Sequence, residues 1–521
     1  MPSEDERATI FQCGDFDESA LCRLASKLRG GYSCFCDTAQ IPACGSFNWT
    51  IQISFDDRVQ WVLRSPRTDG AIRSKETNLS LLASEAATLK YIRANSTIPV
   101  PQVFAYSCSW DNDVGIPYIL MAKAHGSPLQ CTWSDTTGNN PCITQGQKEK
   151  ILFQLGSITW QLSQLTFDVA GSLFEEDGQF QIKTCLARGL LLNQRHSIED
   201  LDRGPFRTKK AYYDAHILAF LEHVKYLPLG HHCFFAPIPA RTEYEDYTRF
   251  RKASDWWSDF VTVQSKIDGS DNRSDYVVAG EALSQMMARW TEDLSDDLPD
   301  SRKPPFSIHH PDLSVDNIFV DEHFNITCVI DWAFSSSVPL SILLTAPGLP
   351  QSRYEVDPSL LPAFENGFRC ALEESTKHKN IENEMRLCQT LSCSRPLWLF
   401  SRILNFDSTT DYHLFKALWD YFGNHDQSIS EFFLSRQSSQ EYVTLRNELM
   451  EDDQTTVQMA TLEREYFHDD VWRLTIARKL TLVSQWSLRY QVSRAHGIRS
   501  NGNIFVADRK LWRWIDSCLK P

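Results

Sequence analysis

The stretch FSIHHPDLSVDNIFVDEHFNITCVIDW, residues 306–332, decides the fold of this chain. It contains two β-rich runs, residues 317–321 and 326–330, and the loop between them has the length of a β-hairpin connection. Folding such a hairpin brings Asn317, where the first strand starts, beside Asp331, where the second strand ends. We therefore predict that an amide and a carboxylate converge at one end of this hairpin.

The spacing of the polar residues in this stretch indicates phosphoryl transfer. His310-Pro-Asp312 is followed five residues after the aspartate by Asn317, and fourteen residues later by Asp331. The protein-kinase catalytic loop has the form H-R-D-x-x-x-x-N, followed by a metal-binding aspartate. Here Pro replaces the Arg, and Trp332 replaces the Phe-Gly that follows the metal-binding aspartate. An ordinary hairpin with polar turn residues is the alternative, but three polar residues at matching spacing favour the kinase-like interpretation.

Composition limits the classes of function that remain. The chain has 521 residues, is 42% hydrophobic and carries a formal net charge of −15. This acidity argues against a nucleic-acid partner bound through a basic face. No apolar run is long enough to span a membrane, the acidic N-terminus lacks a signal-peptide pattern, and the 15 scattered cysteines fit reduced thiols. We expect a cytoplasmic location.

The N-terminal third has the element order of a kinase-like N-lobe. Strands are predicted at residues 49–55, 59–64, 102–107 and 118–122, with a helix at 79–93 between the second and third strands. The predicted fold class is α+β: a bilobal, protein-kinase-like fold with a small β-rich N-lobe and a large, mainly helical C-lobe. The sequence is thereby predicted to divide into four regions: a leader and helix at 1–30, the N-lobe at 31–124, the C-lobe at 125–354 with an insertion at about 185–275, and a helical extension at 355–521.

The C-terminal segment 496–516 repeats the outline of the 306–332 stretch. Ile498 stands where the first copy has Asp312, so this segment lacks the acceptor carboxylate. A second, degenerate site is one interpretation, and a strand pair with chance similarity is the preferred one.

Three further positions in the N-lobe have the residue types that bind a nucleotide. Gly45 begins a tight turn before the first strong strand, where a glycine lets the backbone approach phosphates closely. Arg64 ends the next strand, where a kinase places its phosphate-binding lysine, and Glu85 lies in the following helix and can pair with it. A surface hairpin and a solvated ion pair are the alternative interpretations.

Seven short segments, spread over about residues 40–340, carry a resemblance to the aminoglycoside phosphotransferase/choline kinase-like family, especially its fungal members. The segments are CGSFN at 44–48, WVLRSP at 61–66, SEA at 84–86, IPVP at 98–101, YILM at 118–121, HPDLSVDN at 310–317 and VIDW at 329–332. The resemblance implies a cleft between two lobes that binds ATP and Mg²⁺. The sequence departs from the family pattern at Arg64, which replaces a lysine, and in its turn before the first strong strand, which has a single glycine.

The same resemblance implies roles for individual residues. Asp312 would be the catalytic base, Asn317 and Asp331 the Mg²⁺ ligands, and His310 a structural brace of the loop. The nucleotide-contacting residues would be Gly45, Ser46, Asn48, Arg64, Glu85, Met121 and Lys123, the last two in the hinge stretch 121–124.

Three functions compete. The preferred one is a Mg²⁺–ATP-dependent phosphotransferase that acts on a small-molecule hydroxyl acceptor. If that acceptor is a cation, the candidate residues of its pocket are Trp256, Trp257, Glu243 and Asp246. A packed core is the preferred interpretation of the two tryptophans. The second function is a pseudokinase-like nucleotide-binding or scaffold protein, which Arg64 favours. Protein-kinase activity is the weakest of the three, because no Ala-Pro-Glu sequence follows Asp331.

Overall fold

The computed structural model describes most of the chain and divides it into two compact units. The described residues are 16–36, 42–68, 74–133, 143–235, 239, 241, 244, 246–263, 267–293, 306–375, 381–408, 410–422 and 427–481. Of these, the residues up to Ala215 and those from 306 to Trp398 form the first unit. The residues from His216 to 293 and from Leu399 to 481 form the second unit.

The first unit begins with an antiparallel sheet of six strands, which we call the N-terminal sheet. Its strands are Cys34–Cys36, Ala43–Cys44, Asn48–Phe55, Gln60–Pro66, Val103–Ser107 and Tyr118–Ala122. The central pair, Asn48–Phe55 and Gln60–Pro66, is joined by a tight turn in which Arg58 has a φ of 71°. The register places Thr50 opposite Arg64 and Arg64 opposite Ile119, so Arg64 lies in the middle of the sheet.

Alternating burial gives the N-terminal sheet two different faces. Along Asn48–Phe55 every second residue is buried, starting from Trp49, because successive side chains of a strand point to opposite faces. The buried face forms an apolar core with the first helix, Glu18–Leu28, which contributes Leu21 and Ala25. The opposite face carries Arg64 and is therefore the face that can meet a polar ligand.

The helix Lys75–Asn95 connects the second and third long strands of the sheet. Ser74 caps its N-terminus by accepting a hydrogen bond from Thr77 N–H at 3.2 Å, the arrangement expected of a serine N-cap. Nine of its residues, among them Leu81, Leu82 and Leu89, are buried. This helix therefore packs firmly enough to hold Glu85, in its middle, in a defined position.

The rest of the first unit consists of short strands and helices around two long helices. Glycines allow the long helices Gln145–Gln164 and Leu361–Ser375 to approach closely: a Cβ atom added at Gly156 would lie 2.1 Å from Phe364 O, and one at Gly367 would lie 1.9 Å from Phe153 O. The strands are Ser127–Pro128, Thr166–Phe167, Ser172–Glu176, Gln179–Lys183, Phe306–His309, Ile318–Val320, Ile326–Val329 and Ser336–Pro339. The shorter helices are Gln130–Trp133, Arg188–Leu191, the 3₁₀ turn Arg195–Ser197, Leu340–Leu343 and Ile381–Ser392.

The second unit is helical in its described residues and has an aromatic core. Phe234 lies at its centre, with ring centroids within 5.5 Å of those of Tyr276, Phe415 and Phe433. The helices are Tyr247–Val263, Ser270–Asp293, Asp411–Phe422, Ile429–Gln437, Gln440–Met450, Thr456–Phe467 and residues 471–481. Two more helices, Lys209–Tyr226 and Arg395–Leu404, cross the division between the units.

The predicted fold class, a small N-terminal antiparallel sheet followed by a larger and mainly helical part, is confirmed. The predicted helix at 79–93 extends over Lys75–Asn95, and the predicted strands of the N-lobe are all present. The hairpin Ser172–Glu176/Gln179–Lys183 was missed. Its turn, Asp177-Gly178, has positive φ at both residues, and Asp-Gly is the sequence signal for that turn.

Candidate active site

The predicted hairpin brings Asn317 next to Asp331. Its strands, Ile318–Val320 and Ile326–Val329, pair with Ile318 opposite Val329. One step beyond that pair, Ile330 N–H donates to Asn317 O at 3.0 Å. Asp331 then adopts a left-handed conformation with φ of 61°. Aspartate tolerates this region better than most residues, and the bend turns the chain away from the strand immediately at the candidate metal ligand.

His310 holds the loop of Asp312 to the segment of Asp331. Its ring is buried, its Nε2 lies 2.9 Å from Ile330 O, and its Nδ1 accepts a hydrogen bond from Asp312 N–H at 3.1 Å. A ring that donates at one nitrogen and accepts at the other is neutral, and burial lowers the pKa of His310. The ring also packs edge-on against Trp332, at 4.6 Å between centroids. His310 therefore lies where a brace of the two acidic segments must lie.

Arg64 joins Glu85 to Asp331. Arg64 Nε lies 3.2 Å from Glu85 Oε2, while its Nη2 donates to Asp331 Oδ1. The backbone N–H of Trp332 also favours the ionised form of Glu85 and so acts to lower its pKa. One guanidinium thus connects the N-terminal sheet, the helix Lys75–Asn95 and the end of the hairpin. A planar group with several donors can hold two carboxylates at once, which a lysine ammonium does with less directional control.

The two carboxylates that share Arg64 have pKa values shifted in opposite directions. Glu85 is 3% exposed, and burial raises its pKa to about 7 against the attraction of Arg64. Burial also opposes ionisation of Asp331, but the charge of Arg64 and its hydrogen bond outweigh it and lower the pKa of Asp331. Asp331 is therefore ionised at neutral pH, as a ligand of a cation must be.

Asp312 has partners on both of its carboxylate oxygens. Ser352 Oγ donates to Oδ1 at 2.6 Å, and Arg188 Nη1 lies 3.5 Å from Oδ2. The backbone carbonyl of Asp312 accepts a hydrogen bond from Asn317 Nδ2 at 3.0 Å. The side chain of Asp312 is still 32% exposed, so a ligand can reach it from solvent.

The turn that contains Gly45, Ser46 and Asn48 forms a tight hairpin tip. Gly45 N–H donates to Asn48 O at 2.9 Å, and Gly45 and Ser46 are exposed. A Cβ atom added at Gly45 would meet only Asn48 O, at an ordinary 3.6 Å, so packing alone does not demand a glycine there. Phe47, at the tip, packs edge-on against Phe334 with 4.9 Å between ring centroids. The tip therefore contacts the segment that follows Asp331.

Met121 and Lys123 lie at the end of the strand that pairs with the strand of Arg64. Met121 is opposite Val62 and is buried, whereas Lys123 is exposed. Lys123 Nζ donates to the side-chain oxygens of Gln52 and Gln60, both at 2.8 Å. These partners alternate with the buried residues of their strands, so Lys123 lies on the same face of the sheet as Arg64.

The donor chemistry of the site fits a hard cation. Among the named side chains, three carboxylates face two guanidinium groups, which leaves an excess of negative charge. Asn317 and Asp331 offer an amide oxygen and a carboxylate that is 35% exposed, the oxygen ligands that Mg²⁺ prefers. Within the described residues no group of three His, Cys, Asp or Glu side chains forms a metal site made by protein alone.

Two contacts of Asp312 were missed from the sequence. Arg188 starts the short helix Arg188–Leu191, inside the predicted insertion, and Ser352 lies 40 residues beyond the aspartate that it contacts. Neither position belongs to a motif, so no sequence signal identifies them.

The proposed cation pocket receives little support from the structure. Trp256 and Trp257 are buried in the second unit, and Lys252 already covers the face of the Trp256 ring at 4.7 Å from its centroid. Asp246 accepts a hydrogen bond from Arg249 N–H at 2.8 Å at the start of the helix Tyr247–Val263. A core role for both tryptophans is thus favoured. Glu243 and the segment 496–516 lie outside the described residues.

Comparisons with known proteins found curated relatives and solved structures that are similar to parts of the chain. No protein-family model matches the chain. A subtelomeric hrmA-associated cluster protein of Aspergillus fumigatus is 28% identical over 278 residues, which are 49% of this chain. The chain spans about half the length of the curated relatives it matches.

Two solved structures illustrate the structural similarity. A putative fructosamine-3-kinase from Thermobifida fusca is 13% identical, with a TM-score of 0.38 over 77% of this chain and 96% of that one. A choline kinase from Cryptosporidium parvum is 10% identical, with a TM-score of 0.33 over 83% of this chain and 99% of that one. Both of these solved proteins are named as kinases of small molecules, the kind of protein that the sequence resemblance names.

Proposed function

We propose that the chain is a Mg²⁺–ATP-dependent phosphotransferase that moves the γ-phosphoryl group to a hydroxyl of a small molecule. The observation that carries this proposal is the connected set of Asp312, Asn317, Asp331, Arg64 and Glu85. Phosphoryl transfer depends on positioning and on stabilising charge, and these residue types supply both. A cytoplasmic location, predicted from the sequence, remains part of this proposal.

Each residue in the set has one task in the proposed reaction. Asp312 accepts the acceptor's proton or orients its hydroxyl, from a distance at which a general base acts. Arg64, held by Glu85, contacts the nucleotide phosphates. The exposed turn at Gly45 and Ser46 would lie over the phosphates and offer the backbone N–H of Ser46, since that of Gly45 is bonded to Asn48 O. The stretch of Met121 and Lys123 would contact the rest of the nucleotide. These contacts orient the γ-phosphoryl group towards Asp312.

Asn317 would hold the magnesium ion through its amide oxygen, and Asp331 through an oxygen of its carboxylate. The bound ion supplies charge neutralisation between the phosphate oxygens. Arg64 now occupies Oδ1 of Asp331, so Asp331 offers its second oxygen unless Arg64 shifts to the phosphates.

A second function, nucleotide binding without transfer, is favoured by one specific observation. Both catalytic carboxylates are already paired with arginines: Asp331 with Arg64, and Asp312 with Arg188. If these pairs persist when nucleotide binds, Arg64 cannot turn to the phosphates and each carboxylate keeps one oxygen occupied, and the chain would act as a pseudokinase-like binding protein.

Thermal unfolding with ATP, in the presence and absence of Mg²⁺, tests the nucleotide site. We expect Mg²⁺–ATP to raise the melting temperature of the wild type, since a ligand of the folded state stabilises it by about 2.7 kcal/mol at a hundred times its Kd. Asp331→Asn should lose the Mg²⁺-dependent part of the shift. Glu322→Gln is the matched control, because Glu322 is an exposed acid in the loop of the same hairpin. Equal shifts in all three proteins would place the metal elsewhere.

ADP release in the presence of a panel of amine- and sugar-bearing alcohols tests the transfer itself. Asp312→Asn should retain the Mg²⁺–ATP shift and lower the transfer rate roughly 10²- to 10⁴-fold, the contribution typical of a general base. A wild type that binds Mg²⁺–ATP but transfers to no alcohol would favour the pseudokinase-like function. Full activity in Asp312→Asn would show that the base has been assigned wrongly.

A further inference from the structure

The hydroxyl of Ser352 occupies the position relative to Asp312 that an acceptor hydroxyl would need. Ser352 Oγ donates to Asp312 Oδ1 at 2.6 Å. A general base must lie about 2.6–3.2 Å from the oxygen whose proton it takes.

The segment that carries Ser352 is fastened to the catalytic loop at two more points. Val315 N–H donates to Pro350 O at 3.1 Å, and Gln351 Nε2 donates to Asp316 Oδ2 at 3.4 Å. The segment turns sharply, and a Cβ atom added at Gly348 would lie 1.7 Å from Tyr354 O. Ser352 is therefore held at the loop by backbone and side-chain contacts of its neighbours as well as by its own hydroxyl.

Orientation of Asp312 does not require Ser352. The backbone of Asp312 is fixed by His310 and Asn317, and Arg188 lies beside its second carboxylate oxygen. The hydrogen bond from Ser352 is thus an additional contact. Its chemistry is the one that the proposed reaction uses, namely an aliphatic hydroxyl donating to the base.

We propose that Ser352 is an internal phosphoryl acceptor, which the chain phosphorylates in cis from Mg²⁺–ATP. This inference rests on the proposed function, since it uses the same base and the same nucleotide. The bond between Ser352 Oγ and the γ-phosphorus forms, and the bond from that phosphorus to the β–γ bridging oxygen breaks. ADP leaves with the electron pair, and the proton of the hydroxyl passes to Asp312 Oδ1.

The surroundings of Ser352 suit the anionic product. Arg188 lies on the other side of the Asp312 carboxylate, where its guanidinium can attract the new phosphate. Transfer of the proton to Asp312 removes the negative charge that would otherwise repel that phosphate. Residues 353–355 are exposed, so the modified segment can move towards solvent, and a bound phosphate there would block or reshape the entry of an external acceptor.

Incubation of the full chain with γ-labelled ATP and Mg²⁺, without an external acceptor, tests the proposal. Intact-protein mass spectrometry should show a gain approaching one phosphoryl group per chain, and peptide mapping should place it on Ser352. Ser352→Ala and Asp312→Asn should both lose the label. Ser359→Ala is the matched control and should keep it, because Ser359 also donates to an aspartate, Asp357 at 2.8 Å, seven residues further along.

Two further measurements separate the possible outcomes. Melting temperatures without nucleotide show whether each variant is folded, and those with Mg²⁺–ATP show whether it binds nucleotide. A wild type that Mg²⁺–ATP stabilises but that gains no label on Ser352 would overturn this inference and leave the proposed function standing. Absence of any stabilisation would remove both proposals.

The order of the reaction decides whether the transfer is intramolecular. Labelling should be first order and its rate constant independent of protein concentration. An affinity-tagged Asp312→Asn chain mixed with the wild type should stay unlabelled. Label on the tagged chain at Ser352 would show transfer between molecules and would contradict the cis reaction.

Discussion

Asp331 in the first unit and Asp411 in the second are both held by donors of their own chain, yet they differ in access to solvent. The side chain of Asp331 is 35% exposed, whereas that of Asp411 is 0% exposed. Asp331 receives one arginine; Asp411 Oδ2 receives Tyr276 OH at 2.6 Å and lies 2.8 Å from His232 Nδ1.

This difference in exposure to solvent separates a reactive carboxylate from a structural one in this chain. Taking a carboxylate out of water is costly unless hydrogen bonds replace the solvent. The contacts of Asp411 with Tyr276 OH and His232 offset that cost. Burial together with Asp411 raises the pKa of Tyr276, which keeps the phenol protonated as a donor. Asp331 keeps one side open. An open, ionised carboxylate can take a cation, and an enclosed one cannot do so without unfolding its surroundings.

Replacing Asp411 should therefore produce the largest change in stability. Asp411→Ala leaves Tyr276 OH and His232 without their acceptor in a buried cluster, which costs about 3 kcal/mol. We expect a much lower melting temperature and, in the fraction that is folded, unchanged binding of Mg²⁺–ATP. Chemical denaturation and nucleotide titration measure the two effects separately.

Asp420→Ala is the matched control, since Asp420 lies on the same helix and its side chain is 62% exposed in an i,i+4 pair with Lys416. Such a pair contributes only about 0.3–0.5 kcal/mol. If Asp411→Ala weakened nucleotide binding without lowering stability, the distinction between an open and an enclosed carboxylate would be wrong.

The smaller change Arg64→Lys tests how the partly exposed carboxylate, Asp331, is held. A lysine supplies one compact charge and cannot reproduce the two contacts of Arg64 to Glu85 and Asp331. Leaving a buried carboxylate short of a donor costs about 1–3 kcal/mol, so we expect a lower melting temperature together with a changed affinity for Mg²⁺–ATP. Arg93→Lys, at an exposed position of the helix that carries Glu85, should change neither quantity. An Arg64→Lys variant with unaltered stability would mean that Arg64 does not bridge the two acids.

The sequence predicts this fold well where the pattern is local. Alternation along residues 49–55 and the helical period of 79–93 depend on neighbours in the chain, and the strand Asn48–Phe55 and the helix Lys75–Asn95 form over these stretches. The hairpin that joins Asn317 to Asp331 is also local, so its partners could be paired from spacing alone. The Asp177-Gly178 hairpin was predictable on the same grounds and was overlooked.

The parts of the site that depend on long-range packing could not be predicted. Arg188 and Ser352 reach Asp312 across large separations in sequence, and the contact of Phe47 with Phe334 joins residues of different elements. Each contact is set by how strands and helices pack, which the spacing of motif residues does not encode. The pairing of Arg64 with Glu85 was predicted from their places on the strand and on the helix that follows it, and it is present. The additional link from Arg64 to Asp331 was not expected.

The half-buried acid Asp275 gives the last predicted effect, which has a characteristic dependence on pH. Burial and the nearby Asp271 raise the pKa of Asp275, although it accepts a hydrogen bond from Gln437 Nε2 at 3.0 Å and lies near Arg446. An unfolded aspartate has a pKa of about 3.9, so the folded chain retains the proton to higher pH, and stability falls as pH rises through the interval between the two values. Asp275→Asn removes this titration and keeps an acceptor for Gln437. The variant should match the wild type below about pH 4 and become progressively more stable than it as pH rises. Melting curves from pH 3.5 to about 7 measure the stability difference between the variant and the wild type. A difference that does not change with pH would show that Asp275 ionises as easily in the folded chain as in the unfolded one. Asp275 would then be as open to solvent as Asp331.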